Sequence, residues 1–247
     1  MFQIAAAIGY MMGGFMAVWS FFWVMWLSVI PQIICLIIAF LIFEPKRNEN
    51  YDSNVYSHVI EATKKIWRNK KLRLLSINKI IRFAVGESTY IFRSAFVNTL
   101  WPLWAVSFSK VLSSLGAAVS YWFSSKLIHK MGAYKLLLVS NVYSSVINIF
   151  SVVFATFLSP ALMSTTSLFY GSQNVANSKL MQEEFTDQQR ATLGSISSFF
   201  GNLVFGIFSI IVGFFADKFG ARNALLFAYV ILLPTLLISW SMFKEDK

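Results

Sequence analysis

Residues 1–43 read MFQIAAAIGYMMGGFMAVWSFFWVMWLSVIPQIICLIIAFLIF, and none of these side chains is charged. One helix needs about 20 apolar residues to cross the hydrocarbon of a bilayer. The stretch is roughly twice that long, so it predicts two membrane spans and not a soluble core. The aromatic cluster Trp19, Phe21, Phe22, Trp23 and Trp26 lies between them, as an interfacial belt around a tight turn would. Pro31 falls inside the second span, where a kink is tolerated if neighbours satisfy the freed carbonyl.

The whole chain agrees with its first segment. Of 247 residues, 57% are hydrophobic and only 13% charged, against about a quarter charged in soluble domains. The net charge of +10 invites a nucleic-acid reading. Its placement argues against one, because the basic residues sit at the ends of apolar runs, as on the cytoplasmic side of a membrane protein. The expected partner is a lipid bilayer, with no nucleic acid. Cys35 is the lone cysteine and supports neither an intrachain disulfide nor a metal site. Apolar runs predict spans near 3–20, 24–43, 74–97, 103–128, 134–156, 160–181, 191–215 and 223–243. The fold class is therefore all-α, a polytopic membrane protein of about eight transmembrane helices.

Residues 44–73 form the one substantial polar segment. Glu44, Pro45 and Lys46 close the second span, and Ser57 to Arg73 sets Val59, Ile60, Ile66 and Trp67 against Lys64, Lys65, Arg68, Lys70 and Lys71. This pattern suits an amphipathic helix on an anionic membrane surface and a solvated basic linker equally well. With this segment cytoplasmic, Lys126, Lys130, Lys135, Lys179, Arg190, Lys244 and Lys247 share its side. The opposite loops keep Lys218 and Arg222, with Arg93 and Lys110 near helix ends. Both chain ends are then expected in the cytoplasm.

The third span carries Lys79, Arg82, Gly86, Tyr90 and Arg93 at i, i+3, i+7, i+11 and i+14, which is one helix face, with Glu87 beside it. Ionisable groups at membrane depth normally face a water-filled cavity or a partner. Lys79 and Arg82 snorkelling inward and Arg93 outward would explain three of the four charges without function. Glu87, nearest the middle, is left as a candidate for substrate contact or proton coupling. The sixth span repeats the pattern with Thr166, Tyr170, Gln173, Asn174 and Asn177 on one face. Singly these amides could be helix glue; together they suggest a cavity lining. Ser195, Ser198, Asn202, Gly206, Ser209 and Gly213 in the seventh span read as a packing seam, as do Gly9, Gly13 and Ala17 in the first. Asn141, Ser145 and Asn148 fit either role. His58 and His129 lie in or beside loops, and no catalytic, metal-binding or nucleotide-binding motif is present. No enzyme activity, cofactor or metal is expected.

The order of parts resembles the C-terminal two-thirds of a major facilitator superfamily transporter: two spans, a basic loop with an amphipathic helix, then six spans. On that resemblance, 1–43 would be the last two helices of the first half, 44–73 the cytoplasmic linker and 74–247 the complete six-helix second half. FTDQQRAT, Phe185 to Thr192, is similar to the cytoplasmic turn of bacterial members. Thr186 with Gln189 reads as a capping box, and Arg190 has Glu183, Glu184 and Asp187 in reach. GFFADKFGAR places Gly213, Asp217, Lys218, Gly220 and Arg222 on the family's G-x-x-x-D-[RK]-x-G-x-[RK] loop motif. The pseudo-repeat from Ser125 to Tyr134 keeps only Lys130 and Gly132, with His129 and Tyr134 replacing the acidic and final basic residues.

The resemblance implies secondary transport of a small solute by alternating access, on the lines of drug or organic-solute export. An ion gradient, with protons the candidate ion, or the solute's own gradient would drive it. Arg82, Glu87, Tyr90, Arg93, Tyr170, Gln173, Asn174 and Asn177 would touch substrate or the coupling ion, and Asp187, Arg190, Gly213, Asp217, Gly220 and Arg222 would shape the loops. The plasma (inner) membrane is the expected location. The apolar run begins at Met1 without any flank, which reads as an internal start or a truncation. The alternatives are a non-transporting remnant, an accessory membrane subunit, or one piece of an assembly with a separate N-terminal half.

Overall fold

Residues 2–42, 55–184 and 187–245 are described by the structure, a computed structural model. Among them every regular element is helical. The order is α1 (Phe2–Trp19), α2 (Phe21–Leu41), α3 (Val55–Arg68), α4 (Lys70–Asn98), α5 (Leu103–Met131), α6 (Ala133–Val153), α7 (Ser159–Thr165), a 3-10 turn (Thr166–Phe169), α8 (Tyr170–Glu183), α9 (Asp187–Ile231) and α10 (Pro234–Glu245). Among the described residues five segments are long and apolar enough to cross a membrane: α1, α2, α5, α6 and the run Gly194–Glu245. That last run is two passes, as shown below. The other two passes, α4 and the α7–α8 pair, are the ones that carry the polar faces, and those faces lower their hydropathy. The molecule is an all-α polytopic membrane bundle of about eight passes.

Helix α9 cannot be one rod. Its 45 residues would run about 68 Å at 1.5 Å per residue, over twice the hydrocarbon thickness of about 30 Å. Gly220 interrupts it at φ 81°, ψ 157°. A straight helix would hold Phe215 and Phe227 about 18 Å apart, yet their rings stack at 4.2 Å between centroids. The chain has doubled back. Gly132, at φ 79°, ψ 151°, separates α5 from α6 in the same backbone state, which only glycine enters without strain. These two are the only positive-φ residues among those described.

Two further breaks divide spans that the sequence reads as continuous. Across 160–181 the helix gives way to the 3-10 turn. The hydroxyls of Thr165, Thr166 and Ser167 bond back to the carbonyls of Leu162, Met163 and Ser164 at 2.7, 2.7 and 2.6 Å, offering the backbone local alternatives to a straight α-helix. The predicted span 223–243 breaks at Leu232–Leu233, where Pro234 opens α10.

Two buried clusters hold the bundle. Val85, Phe96, Met163, Phe208, Val212, Leu225 and Tyr229 join α4, α7 and both arms of α9. Leu75, Leu136, Leu137, Ala176, Leu180 and Met242 join α4, α6, α8 and α10. At the basic end of α4, the Asn69 side chain accepts the Leu72 N–H at 3.1 Å and donates to Glu184 at 2.8 Å. Lys71 pairs with Glu184 at 3.3 Å, and Lys70 with Glu245. The Tyr134 hydroxyl, then Glu184, raise the Lys71 pKa above the usual lysine value against its partial burial, so the ammonium stays charged at any physiological pH. Helix α2, by contrast, buries no residue, which suits an element solvated by lipid.

The predicted packing seam of α1 is displaced, and that of α9 is kept only in part. A Cβ on Gly9 or Gly13 would meet nothing within 4 Å, whereas one on Gly14 would fall 1.8 Å from Ser107 Oγ and 2.3 Å from its Cβ. Among the glycines of α1 it is therefore Gly14 that meets α5 closely, and Ala7, two turns earlier, is the buried residue of α1. In the arm of α9 before Gly220, Ser195, Ser198, Asn202 and Gly206 are exposed, and the buried positions among the described residues are Ser197, Gly201, Phe208 and Val212. Ser209 and Gly213 do face α4, through a 2.8 Å contact of hydroxyls with Ser88 and a backbone on which an added Cβ would lie 3.5 Å from Phe92. Small residues mark where a close approach is possible, and the partner's shape selects which of them it uses.

Gly14→Ala should lower the thermal midpoint of the purified protein, overpacking the crossing by about 1–3 kcal/mol. Gly9→Ala should leave it unchanged or slightly raised. Equal midpoints for the two variants would refute this placement of the seam.

Candidate functional site

One cavity of about 420 Å³ lies between α1, α4, α5, α6, α8 and the return arm of α9. Helix α4 contributes Lys79, Arg82, Phe83, Gly86, Glu87, Thr89, Tyr90 and Arg93, and α8 contributes Tyr170, Gln173, Asn174 and Asn177. All eight residues expected to touch substrate or a coupling ion thus line one space. The reason is geometric: each set recurs at helical spacing, so it projects from one side of its helix, and the two helices turn those sides toward each other.

Arg93 is 8% exposed and points into the bundle, not toward the interface. Its Nη2 donates to Asn148 Oδ1 at 3.2 Å and to the Tyr229 hydroxyl at 3.4 Å, and Nη1 to the Met163 carbonyl at 3.4 Å. Arg82 Nη1 donates to Thr235 Oγ1 at 3.1 Å. Lys110, from α5, donates to the Tyr90 carbonyl and sits 3.3 Å from the centre of the Tyr90 ring. Tyr10 of α1 and Ser114 of α5 line the cavity together with Tyr90. Glu87 lies within electrostatic reach of Lys110 and of Tyr170.

On the α8 side two of the three amides, Gln173 and Asn174, are engaged. Gln173 Nε2 donates to Asn141 Oδ1 at 2.5 Å, and Asn141 Nδ2 donates to Ser239 Oγ at 2.6 Å. Asn174 Nδ2 donates to the Tyr121 hydroxyl at 3.3 Å, and the Tyr121 and Tyr170 rings meet edge to face at 6.3 Å. Asn141, outside the lining, therefore supports Gln173 from behind, while Asn148 lines the cavity beside Arg93. Close approach of α8 to α5 brings Tyr121 within reach of Asn174 and Tyr170, since a Cβ on Gly171 would lie 2.5 Å from the Tyr121 backbone nitrogen.

Sequence reasoning missed Lys110, Tyr10, Ser114 and Tyr229. Lys110 offered a signal, being a charge seven residues into an apolar run, but was counted only as a helix-end lysine. Tyr10 and Tyr229 offered none, because nothing along their own helices distinguishes them from interfacial or core tyrosines.

The loop residues sit elsewhere. Arg222 donates to the carbonyls of Val152 and Val153 at 3.0 and 2.7 Å, a cation closing the C-terminal end of α6. Gly220 supplies the reversal just before it, and Asp217 and Lys218 are exposed. Asp187 and Arg190 open α9, but their side chains, like residues Phe185 and Thr186, lie outside the described residues. Glu183 and Glu184 are engaged by Lys179 and Lys71. Among the described residues no group of His, Cys, Asp and Glu could hold a metal ion.

Residues 1–205 match the family model of the Major Facilitator Superfamily. The chain belongs to that superfamily. Membership makes it an integral membrane protein of a transporter family, with membrane transport as its general activity. No curated protein matches the chain. Within the superfamily's bundle, the faces of α4 and α8 enclose the cavity described above.

Asn141→Leu removes the acceptor for Gln173 and the donor to Ser239 together. It should destabilise the protein by about 1 kcal/mol, the usual size for polar contacts between membrane helices. The midpoint should fall by roughly 2–4 °C, and most of the loss should already be present in Ser239→Ala if the two sites are coupled.

Proposed function

We propose that this protein carries out secondary transport of a small solute by alternating access, with the α4–α8 cavity as its binding site. The observation that supports this best is the convergence of charged, amide and tyrosine side chains from both helices on one space inside a membrane bundle. Ionisable groups at membrane depth are retained where they line a pathway or meet a ligand. A cavity of this size lies within the range of small-molecule sites. Tyr90 and Tyr170 supply apolar faces with polar tips, while Gln173, Asn174 and Asn177 supply donors and acceptors that fix orientation.

Glu87 is the proposed coupling group. It is the one carboxylate lining the cavity, which it shares with Lys79, Arg82, Arg93 and Tyr170, and Lys110 lies within electrostatic reach of it. Loading a proton removes its charge and frees the neighbouring cations to engage the solute, which links the two movements. The location proposed is the plasma membrane, with the basic end of α4 and both chain ends in the cytoplasm.

Two substitutions test the reading in reconstituted vesicles. Glu87→Gln should abolish the dependence of solute flux on an imposed proton gradient while leaving exchange down the solute's own gradient; undiminished proton dependence would remove Glu87 from coupling. Gly86→Leu should block flux at least tenfold without loss of thermal stability. A Cβ there meets nothing within 4 Å, so the added bulk enters the cavity and not the core.

A further inference from the structure

The geometry points to a small organic anion as the solute, its charged group held by Arg82 with Lys79 and its apolar body lying along Tyr90 and Tyr170. The first argument is charge. Lys79, Arg82 and Arg93 line the cavity with Glu87, so three cations share it with one carboxylate, and Lys110 stands beside it against Tyr90. Among the described residues the ion pairs join Lys70, Lys71 and Lys179 to Glu245, Glu184 and Glu183, and none reaches the cavity. Cations withdrawn from bulk water without a counter-charge are strongly unfavourable. A mobile anion supplies what the fold does not.

The second argument is unused hydrogen-bonding capacity. A guanidinium presents five donors. For Arg82, the bond from Nη1 to Thr235 is the one described, which leaves a fork suited to bidentate capture of a carboxylate or phosphate. Further along the same face, Arg93 Nε is buried with no partner, as are Ser145 Oγ and Asn177 Oδ1; these three residues are 8%, 4% and 8% exposed. All three line the cavity. Buried polar atoms are rarely orphaned unless a ligand or water completes them.

Spacing then gives the anion a route. Arg82 and Arg93 are separated by about 16 Å along α4, too far for one small head group to bridge. They act as successive stations of the same sign, with Glu87 between them. A cationic solute would find one carboxylate already faced by Lys110. A neutral solute would leave both guanidinium groups uncompensated.

This inference names the substrate class within the transport reading, yet it concerns binding and is tested apart from flux. The full chain is placed in nanodiscs of phosphatidylcholine at constant chloride. Thermal midpoints are recorded with benzoate, phenyl phosphate, benzamide and benzylamine at equal millimolar concentration. Benzoate or phenyl phosphate should raise the midpoint by about 2–4 °C, and the stronger of the two tells carboxylate from phosphate. Arg82→Gln should weaken that ligand about ten- to a hundredfold, Arg82→Lys should retain part of the affinity, and Lys70→Gln should behave as wild type. If Arg82→Gln does not fold, Lys79→Gln and the wild-type panel decide. A shift by benzamide or benzylamine that equals the anions', no shift by any compound, or an anion shift unchanged by both cavity substitutions overturns the proposal. Vesicle uptake separates the two readings: anion binding without flux counts against transport alone, and flux of benzylamine counts against the anion alone.

Discussion

A guanidinium in hydrocarbon must be turned inward, and most of this architecture follows from where α4 turns its two. Arg82 and Arg93 share a face with Lys79, Gly86 and Tyr90, so burying either one orients the whole helix. The opposite face, with Ile91 exposed, is left to lipid. Once α4 is oriented, its neighbours must offer it polar surface. Asn148, Tyr229 and the Met163 carbonyl do so at one end, and Thr235 at the other. The cavity is the space these contacts leave open.

The backbone devices serve the same end. Gly132 and Gly220 occupy corresponding positions in two copies of one loop motif and adopt nearly the same unusual conformation. In the better-preserved copy Arg222 follows the glycine and closes the end of α6. In the other, Tyr134 stands at that place and takes part in the Lys71 contact. The degraded copy keeps its turn, because the turn requires glycine alone, and has exchanged a helix-capping cation for an aromatic ring beneath a lysine.

The 3-10 turn between α7 and α8 shows how local chemistry positions the site. Threonine and serine hydroxyls that bond their own preceding carbonyls interrupt the helix just before Tyr170. Gly116 of α5 allows Ser167 to approach there, since an added Cβ would lie 2.3 Å from its Oγ. The break leaves Thr166 and Tyr170 on the cavity side together with Gln173, Asn174 and Asn177.

The amino-acid pattern alone determined the membrane class, the number of passes to about eight, and which faces of α4 and α8 are polar. These follow from hydropathy summed over some twenty residues and from the 3.6-residue period, both properties of one segment at a time. Tertiary structure decided the rest. It chose Gly14 over Gly9 as the crossing point, because close approach depends on Ser107 as much as on the glycine. It brought Lys110 against Tyr90 and Tyr229 to the cavity, from helices whose own periodicity does not single either residue out. It also turned Asn141 from an ambiguous amide into the link between Gln173 and Ser239. Each of these outcomes belongs to a pair of helices, and a pair has no signature in the period of either member.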